Sequence, residues 1–291
     1  MLRRILLVPA LLSVLALPVQ AREAAATPPP SLRILLTNDD GYQAPFTLRL
    51  RQALAAAGHD VTIVAPAGDS SGVGTSINIR FGTTVEAAEM SPGVWAIDGS
   101  PADAVSFGIR TVFAGDPPDL VVSGPNEGEN VAAAVNHSGT VGAAITALEV
   151  GVPALALSTA RQGSAFPSAD DSVAFGVKLV NRLAATARNG RLLPAYTALN
   201  VNYPAVPTGQ VEIARLGRML PVTIDYVPAT DACPRCYRLA PVFATAPDPV
   251  PGADRTLLSA GAVTITPLTS SWESGPVVAS RLSERLDELT P

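Results

Sequence analysis

The chain is poor in several residue types, and each shortage removes a class of function. Only 2 of its 291 residues are histidine, which excludes a histidine-rich zinc centre. Gly68-Asp69-Ser70-Ser71-Gly72 has Gly-x-Ser-x-Gly spacing, but no helix-like run follows it as a nucleophile elbow requires, so a Ser-His-Asp hydrolase is disfavoured. Neither a Gly-Lys-Ser/Thr phosphate loop nor a Gly-x-Gly-x-x-Gly fingerprint is present, which leaves nucleoside triphosphate and dinucleotide readings unsupported. Positive charge is also short: 20 Lys and Arg face 25 Asp and Glu, a net charge of −5. A sequence-independent nucleic-acid binder needs a basic face, so no nucleic acid polymer is expected as a partner. Cysteine is limited to Cys233 and Cys236 in Asp-Ala-Cys-Pro-Arg-Cys-Tyr. With no second pair a zinc ribbon is excluded, and a thioredoxin-like motif would need a βαβ context that the Pro-rich, strand-like flanks do not offer. A local disulfide staple in an oxidising compartment is the expectation.

Long apolar runs are lacking too. The longest is Ile5 to Leu17, too short for the roughly 20 residues that a membrane span requires. With Arg3-Arg4 before it and Val19-Gln20-Ala21 after it, residues 1–21 read as a cleaved secretory signal. The expected location is therefore periplasmic or secreted, with no membrane span after cleavage. Residues 22–31, with Pro28-Pro29-Pro30, read as a linker.

What is present is a regular alternation. Leu32 to Thr37 is an apolar run of strand length, Phe46 to Ala57 has helical spacing with Pro45 at its start and Gly58 at its end, and Val61 to Ala65 is the next strand. Strands at 94–97, 120–123, 154–158 and 199–202 alternate with helices at 101–113, 138–150 and 171–185. Apolar strands without alternation are covered on both faces, so residues 32–205 predict a three-layer, doubly wound, mostly parallel sheet. After Pro204 the pattern becomes strand-like (211–213, 222–226, 237–242, 262–266), with no clear helix until about Val278. Residues 206–270 thus read as a β-hairpin arm and a return strand, and 271–291 as a C-terminal helix over 279–289.

Ligands of such sheets bind beyond the carboxyl ends of the strands, and polar residues gather at those points. Asp39 and Asp40 follow the first strand directly. Two adjacent anions repel unless neutralised, and a hard divalent cation, Mg²⁺ or Mn²⁺, does so with oxygen ligands. Asp40-Gly41 is also a common turn pair, so the carboxylates alone leave a plain turn open. Asn126, ending another strand, adds a neutral oxygen and favours the metal. Ser138-Gly139-Thr140 opens a helix, which suits an anion although an ordinary cap has the same look. His137 beside it could act as an acid or as a donor to phosphate. Gly99-Ser100-Pro101 reads as a helix start near the site, and His59, on the opposite edge, as solvated or structural.

Taken in order, Ile34-Leu35-Leu36-Thr37-Asn38-Asp39-Asp40-Gly41, Val64-Ala65-Pro66 with Ser71-Gly72, Asp98 to Asp103, Asp119 to Asn126, Ser138-Gly139-Thr140-Val141 and Leu199 to Pro204 resemble the SurE survival-protein family of 5′/3′-nucleotidases. The likeness runs through nearly all of 32–270. It implies a Rossmann-like core, a hairpin arm that builds a homodimer or homotetramer, and metal-dependent hydrolysis of nucleoside monophosphates. It also implies metal ligation by Asp39, Asp40, Ser71 and Asn126, with catalysis at the two aspartates. Phosphate or substrate contacts are implied at Asn130, Ser138, Gly139 and Thr140. The chain departs from the family pattern at Val131 to Ala134, at His137 in place of tyrosine, at Phe46 in place of glycine and at Ser70 in place of a basic residue. These changes touch the pocket wall and spare the metal ligands. A broad acid phosphatase on the same site, an exported binding protein for phosphorylated solutes, and an interaction protein using the arm are the competing functions.

Overall fold

The computed structural model describes residues 29–271 and 276–286. The expected leader, residues 22–28 of the expected linker, and residues 272–275 and 287–291 of the expected C-terminal region lie outside the described residues.

Six parallel strands make the centre of one sheet: β1 (Arg33–Thr37), β2 (Asp60–Pro66), β4 (Val94–Ile97), β5 (Leu120–Glu127), β6 (Ala154–Thr159) and β7 (Ala198–Tyr203). Three more complete it: β3 (Ala87–Ser91) at one edge, β11 (Val263–Leu268) and β8 (Val211–Ile213) at the other. The order is β3-β4-β2-β1-β5-β6-β7-β11-β8. β3 runs antiparallel to β4 and β11 antiparallel to β7. Strand order reverses on either side of β1, which pairs in parallel with both β2 and β5. That switch point is where an open sheet forms a crevice at its carboxyl edge.

The helices cover both faces because the strands are apolar on both. One face carries Ile34, Leu36, Ile63 and Val122 under α1 (Pro45–Ala56) and α4 (Ala169–Ala185). The other carries Leu35, Val64, Val121 and Ala156 under α2 (Pro101–Phe107) and α3 (Gly139–Glu149). α1 starts with Pro45 in its first turn and buries Leu50 and Leu54. Each such fully buried side chain contributes about 1.5–3 kcal/mol, so Leu36→Ala would cost roughly 2–5 kcal/mol. α3 is the most deeply placed helix: every residue from Gly139 to Leu148 is buried.

Three expectations need correcting. A helix does form between Pro204 and Val278, α5 (Asp254–Ser259); its six residues are too few for a visible periodicity. It is held from outside the segment, because Asp254 accepts hydrogen bonds from the backbone N–H groups of Ala132 and Gly217. The helix expected over 101–113 is regular only to Phe107 and continues as one wide, π-type turn, Gly108–Val112. β3 was not anticipated; its exposed Glu89 and Met90 break the apolar pattern of an interior strand.

The region after β7 divides by destination. β8 and β11 join the main sheet, whereas β9 (Val222–Pro228) and β10 (Tyr237–Phe243) form a separate antiparallel ribbon. Its register places Val222, Ile224, Tyr226 and Pro228 opposite Phe243, Pro241, Leu239 and Tyr237, all on one face and all exposed or half-exposed. The tip is closed by a Cys233–Cys236 disulfide. The last helix, α6 (Pro276–Arg285), is described apart from the side chains of Pro276 and Ala279. Among the described residues no helix is long and apolar enough to cross a membrane.

Candidate active site

The site is assembled from three crossovers at the carboxyl edge, and its first component is the turn after β1. Asn38 is fully buried and brackets that turn: its amide donates to the Gly41 carbonyl (2.8 Å) and to Thr47 Oγ1 (2.8 Å), and its Oδ1 accepts from Gly41 N–H (3.1 Å). Gly41 sits at φ +100°, a conformation that L side chains rarely adopt. The bracket presents Asp39 inward and leaves Asp40 half-exposed beside it.

The second component is the loop after β2. Ser70 N–H donates to the Asp39 carbonyl (2.7 Å) and Tyr42 N–H to the Pro66 carbonyl (2.9 Å), fastening the two loops together. Asp69 then accepts from the Ser71 backbone N–H (2.9 Å) and hydroxyl (2.6 Å), and these bonds hold its carboxyl below the usual range. The Ser71 oxygen keeps its lone pairs.

The third component comes from β5 and α3. β5 bulges between Ser123 and Asn126. The Asn126 amide donates to the Gly128 carbonyl (2.8 Å), which leaves Oδ1 as the free oxygen. Thr140 Oγ1 donates to Asp39 Oδ1 at 2.6 Å, and Ser138 caps α3 by accepting from Val141 N–H (3.1 Å). At Gly139 a Cβ would lie 2.8 Å from the Asp39 Cβ and 3.1 Å from Pro101 Cγ, so only glycine lets the helix start this close.

Electrostatics mark the same spot. Burial pushes the Asp39 carboxyl up, against the pull of the Thr140 hydrogen bond. Asp40 is pushed up to about 7, first by burial and then by the negative charges of Asp39, Glu127 and Asp69. Its carboxylate accepts no hydrogen bond among the described residues. Asp40 thus feels three negative charges and no offsetting positive one, an environment that a bound cation would relieve. The donor chemistry fits a hard divalent ion: two carboxylates, an amide oxygen and a hydroxyl, with water in the remaining positions. Among the described residues no cluster of three or more His, Cys, Asp or Glu forms a metal cage. The fit therefore rests on the neutral oxygens of Ser71 and Asn126 completing the pair.

Asp39, Asp40, Ser71, Asn126, Ser138, Gly139 and Thr140 lie on these three interlocked segments. Thr140 spends its hydroxyl proton on Asp39, whereas the Ser138 hydroxyl proton is donated to nothing among the described residues. Asn130 is set deeper. Its amide donates to Ser158 Oγ, its N–H donates to Asn202 Oδ1, and its carbonyl accepts from the side chains of Asn200 and Asn202. It anchors the loop that leads to His137. His137 is exposed, and its carbonyl accepts from Gly74 N–H (3.2 Å). His59 is buried at the opposite edge between Leu32 N–H and Asn181, a structural strap. Sequence reasoning passed over Asn38, Thr47, Asp69 and Glu127. Asn38 stands in the Thr37 to Gly41 string and Asp69 two residues before Ser71, and that position was the available signal.

The chain's sequence from 34 to 222 matches the family model described as Survival protein SurE. The chain belongs to the SurE family. It is 33% identical over 258 residues to the 5′-nucleotidase SurE of Azorhizobium caulinodans, covering 87% of this chain and 98% of that protein. Against the 5′-nucleotidase SurE of Sorangium cellulosum it is 39% identical over 238 residues, covering 81% of this chain and 89% of the relative. The crystal structure of SurE protein from Aquifex aeolicus superposes with a TM-score of 0.72 at 26% identity, covering 88% of this chain and 99% of that one. The SurE relationship thus spans the sheet, the three loops of the site and the ribbon alike.

Proposed function

We propose that this SurE-family protein is a metal-dependent phosphomonoesterase that releases phosphate from nucleoside 5′- and 3′-monophosphates, using one Mg²⁺ or Mn²⁺. The observation that carries this reading is the carboxylate pair at the sheet's switch point: buried Asp39, held by Thr140 Oγ1 at 2.6 Å, beside Asp40, whose carboxylate accepts no hydrogen bond among the described residues. The names of the similar proteins support the same activity class.

Asp39, Asp40, Ser71 and Asn126 would hold the ion. When bound, it supplies Lewis acidity toward a phosphoryl oxygen and lowers the pKa of a coordinated water. The protein's own part follows from its contacts. Thr140 fixes the Asp39 rotamer, and the Asn38 bracket fixes the relation between the two aspartates. Ser138, its hydroxyl proton unspent, is placed to donate to a phosphate oxygen. The start of α3 adds backbone N–H polarity toward negative charge. Asp40, without a hydrogen-bond partner of its own, is the carboxylate free to accept a proton from an attacking water.

The deciding assay measures phosphate release across nucleoside monophosphates and an aryl phosphate. Activity abolished by EDTA and restored by Mn²⁺ is expected, with loss of turnover in Asp40→Ala. An Asp40→Ala protein of full metal-dependent activity would end the reading.

Two further parts belong to it. The signal-like residues 1–21 direct export, tested by sequencing the mature amino terminus, which should begin at Arg22. The apolar face of the β9–β10 ribbon pairs with another copy of the chain, tested by light scattering; a strictly monomeric protein at micromolar concentration would refute it.

A further inference from the structure

Beyond Ser71 the loop after β2 runs on to a cleft of about 600 Å³ at the carboxyl edge, between residues 76–85 and the β4–α2 corner. Its volume falls within the range of small-molecule sites. Ile77, Ile79 and Val85 give it apolar lining, and Asp98, Asp103 and Arg80 give it charged lining.

The two carboxylates differ in availability. Asp103 is spent: it accepts from Asn78 N–H (2.9 Å) and Ser100 N–H (2.9 Å) and so ties the loop to the helix start. Ser100 Oγ adds a second tie to the Ser76 carbonyl (2.5 Å), and Gly74 N–H a third to the His137 carbonyl. The Asp98 carboxylate accepts no hydrogen bond among the described residues and is exposed. The loop is therefore fixed at its base, while Phe81 at its tip is 97% exposed.

The cleft also stands in a definite relation to the carboxylate pair. Pro101, next to the cleft residue Ser100, abuts Gly139, and Gly139 abuts Asp39. β4 and β1 are separated by β2 alone, so the lateral offset is two strand spacings, about 10 Å. A reach of that order suits a phosphate joined to a nucleobase through one sugar.

We propose that this cleft receives the nucleoside half of the substrate. A ring face lies on Ile77 and Ile79, and sugar hydroxyls or a base amino group donate to Asp98. The assignment rests on the phosphomonoesterase reading for the position of the phosphate, but it names a separate surface and can fail separately.

The experiment compares wild type with Asp98→Ala and Ile79→Ser. It measures KM and kcat for nucleoside monophosphates and for p-nitrophenyl phosphate, which has no sugar or base. A second measurement is equilibrium dialysis of unphosphorylated adenosine, guanosine, cytidine and uridine. The expected result is a KM for nucleoside monophosphates raised roughly tenfold or more in each variant. Aryl phosphate constants stay within twofold, and nucleoside binding is lost in parallel. Phe46→Ala is the control on the opposite side of the site, where Phe46 packs edge-on against Phe166 at 5.8 Å.

The proposal is overturned if the nucleotide and aryl substrates shift together or not at all in both variants. It is also overturned if Phe46→Ala alone gives the selective KM loss, or if the variants bind the nucleosides as wild type does. A wild type that hydrolyses neither substrate would sink the phosphomonoesterase reading instead, and dialysis would then decide the cleft on its own.

Discussion

The corner where β1, β5 and α3 meet and the β9–β10 ribbon are both made of strands, yet they manage polar and apolar groups in opposite ways. At the corner, side chains are buried and several polar atoms are paired, such as Thr140 with Asp39 and Asn38 with Gly41 and Thr47, while the hydroxyls of Thr37 and Ser123 are buried without a partner among the described residues. On the ribbon, backbone groups are paired, but the apolar face from Val222 to Tyr237 is left exposed among the described residues. A sheet with helices on both faces can bury its own surface. Two strands cannot, and isolated two-stranded hairpins are marginal in water. The corner is therefore where chemistry is to be sought, and the ribbon is where another molecule is.

That contrast can be tested in descending order of effect. Asp40→Ala should lower kcat/KM roughly 10³-fold or more, by removing a carboxylate that the metal needs. Steady-state kinetics with Mn²⁺ saturating would show it, and circular dichroism should confirm an unchanged fold. Gly139→Ala comes next, since its new Cβ would stand 2.8 Å from the Asp39 Cβ. Overpacking of this kind costs about 1–3 kcal/mol, so both the thermal midpoint and the metal affinity should fall. A Gly139→Ala protein that takes up metal as wild type does would show the corner to be looser than its contacts imply.

Paired changes on the ribbon, Tyr226→Ser with Leu239→Ser, should shift the assembly toward monomer in sedimentation while turnover per chain stays within about threefold. If turnover vanished instead, the division between corner and ribbon would break.

A smaller effect concerns pH in the presence of EDTA. Asp40's folded pKa of about 7 lies above the ordinary aspartate value of 3.8, so the folded state disfavours the charged form. That penalty is absent below the unfolded value, grows as pH rises between the two, and is complete above about 7. The metal-free protein should accordingly lose stability from pH 5 to pH 8 through this group, and Asp40→Asn should flatten the slope in thermal melts. In the same range metal uptake should strengthen as pH rises, because the ion competes with the proton. Smallest of all, replacing Cys233 and Cys236 by serine should leave the main thermal transition within about 1 °C, since so short a bridge constrains only the ribbon tip.

Much of this organisation was legible in the sequence, and the reasons differ by element. β4 and β8 match their expected ranges, β1 differs by one residue at its start and β2 by one at each end, because apolar runs between turn residues are strong local signals. β3 and α5 were missed because their stability comes from elsewhere: Asp254 is fixed by backbone groups more than 30 residues away, and β3 by its pairing with β4. The same holds in the site. Asp39 and Asp40 announce themselves as adjacent anions. Glu127 reaches Asp40 only through the fold, and Asn130's bonds to Ser158, Asn200 and Asn202 cannot be read from spacing. The hairpin arm and the return strand of the 206–270 region were legible as β9–β10 and β11, whereas the pairing of β8 with β11 at the sheet edge was not, since strands look alike until their neighbours are known.

The absent Cβ at Gly139 has a consequence for how the protein can change. With the helix backbone pressed on Asp39 and Thr140 bonded to it, that carboxylate and the start of α3 are locked together, so neither can shift without the other. Selectivity then has little room to be adjusted there, because any shift that reshaped one half would drag the other out of place. Variation is pushed outward, to the 76–85 segment. That segment is tethered only at its base, and new side chains there can redraw what is accepted while leaving the reactive corner untouched.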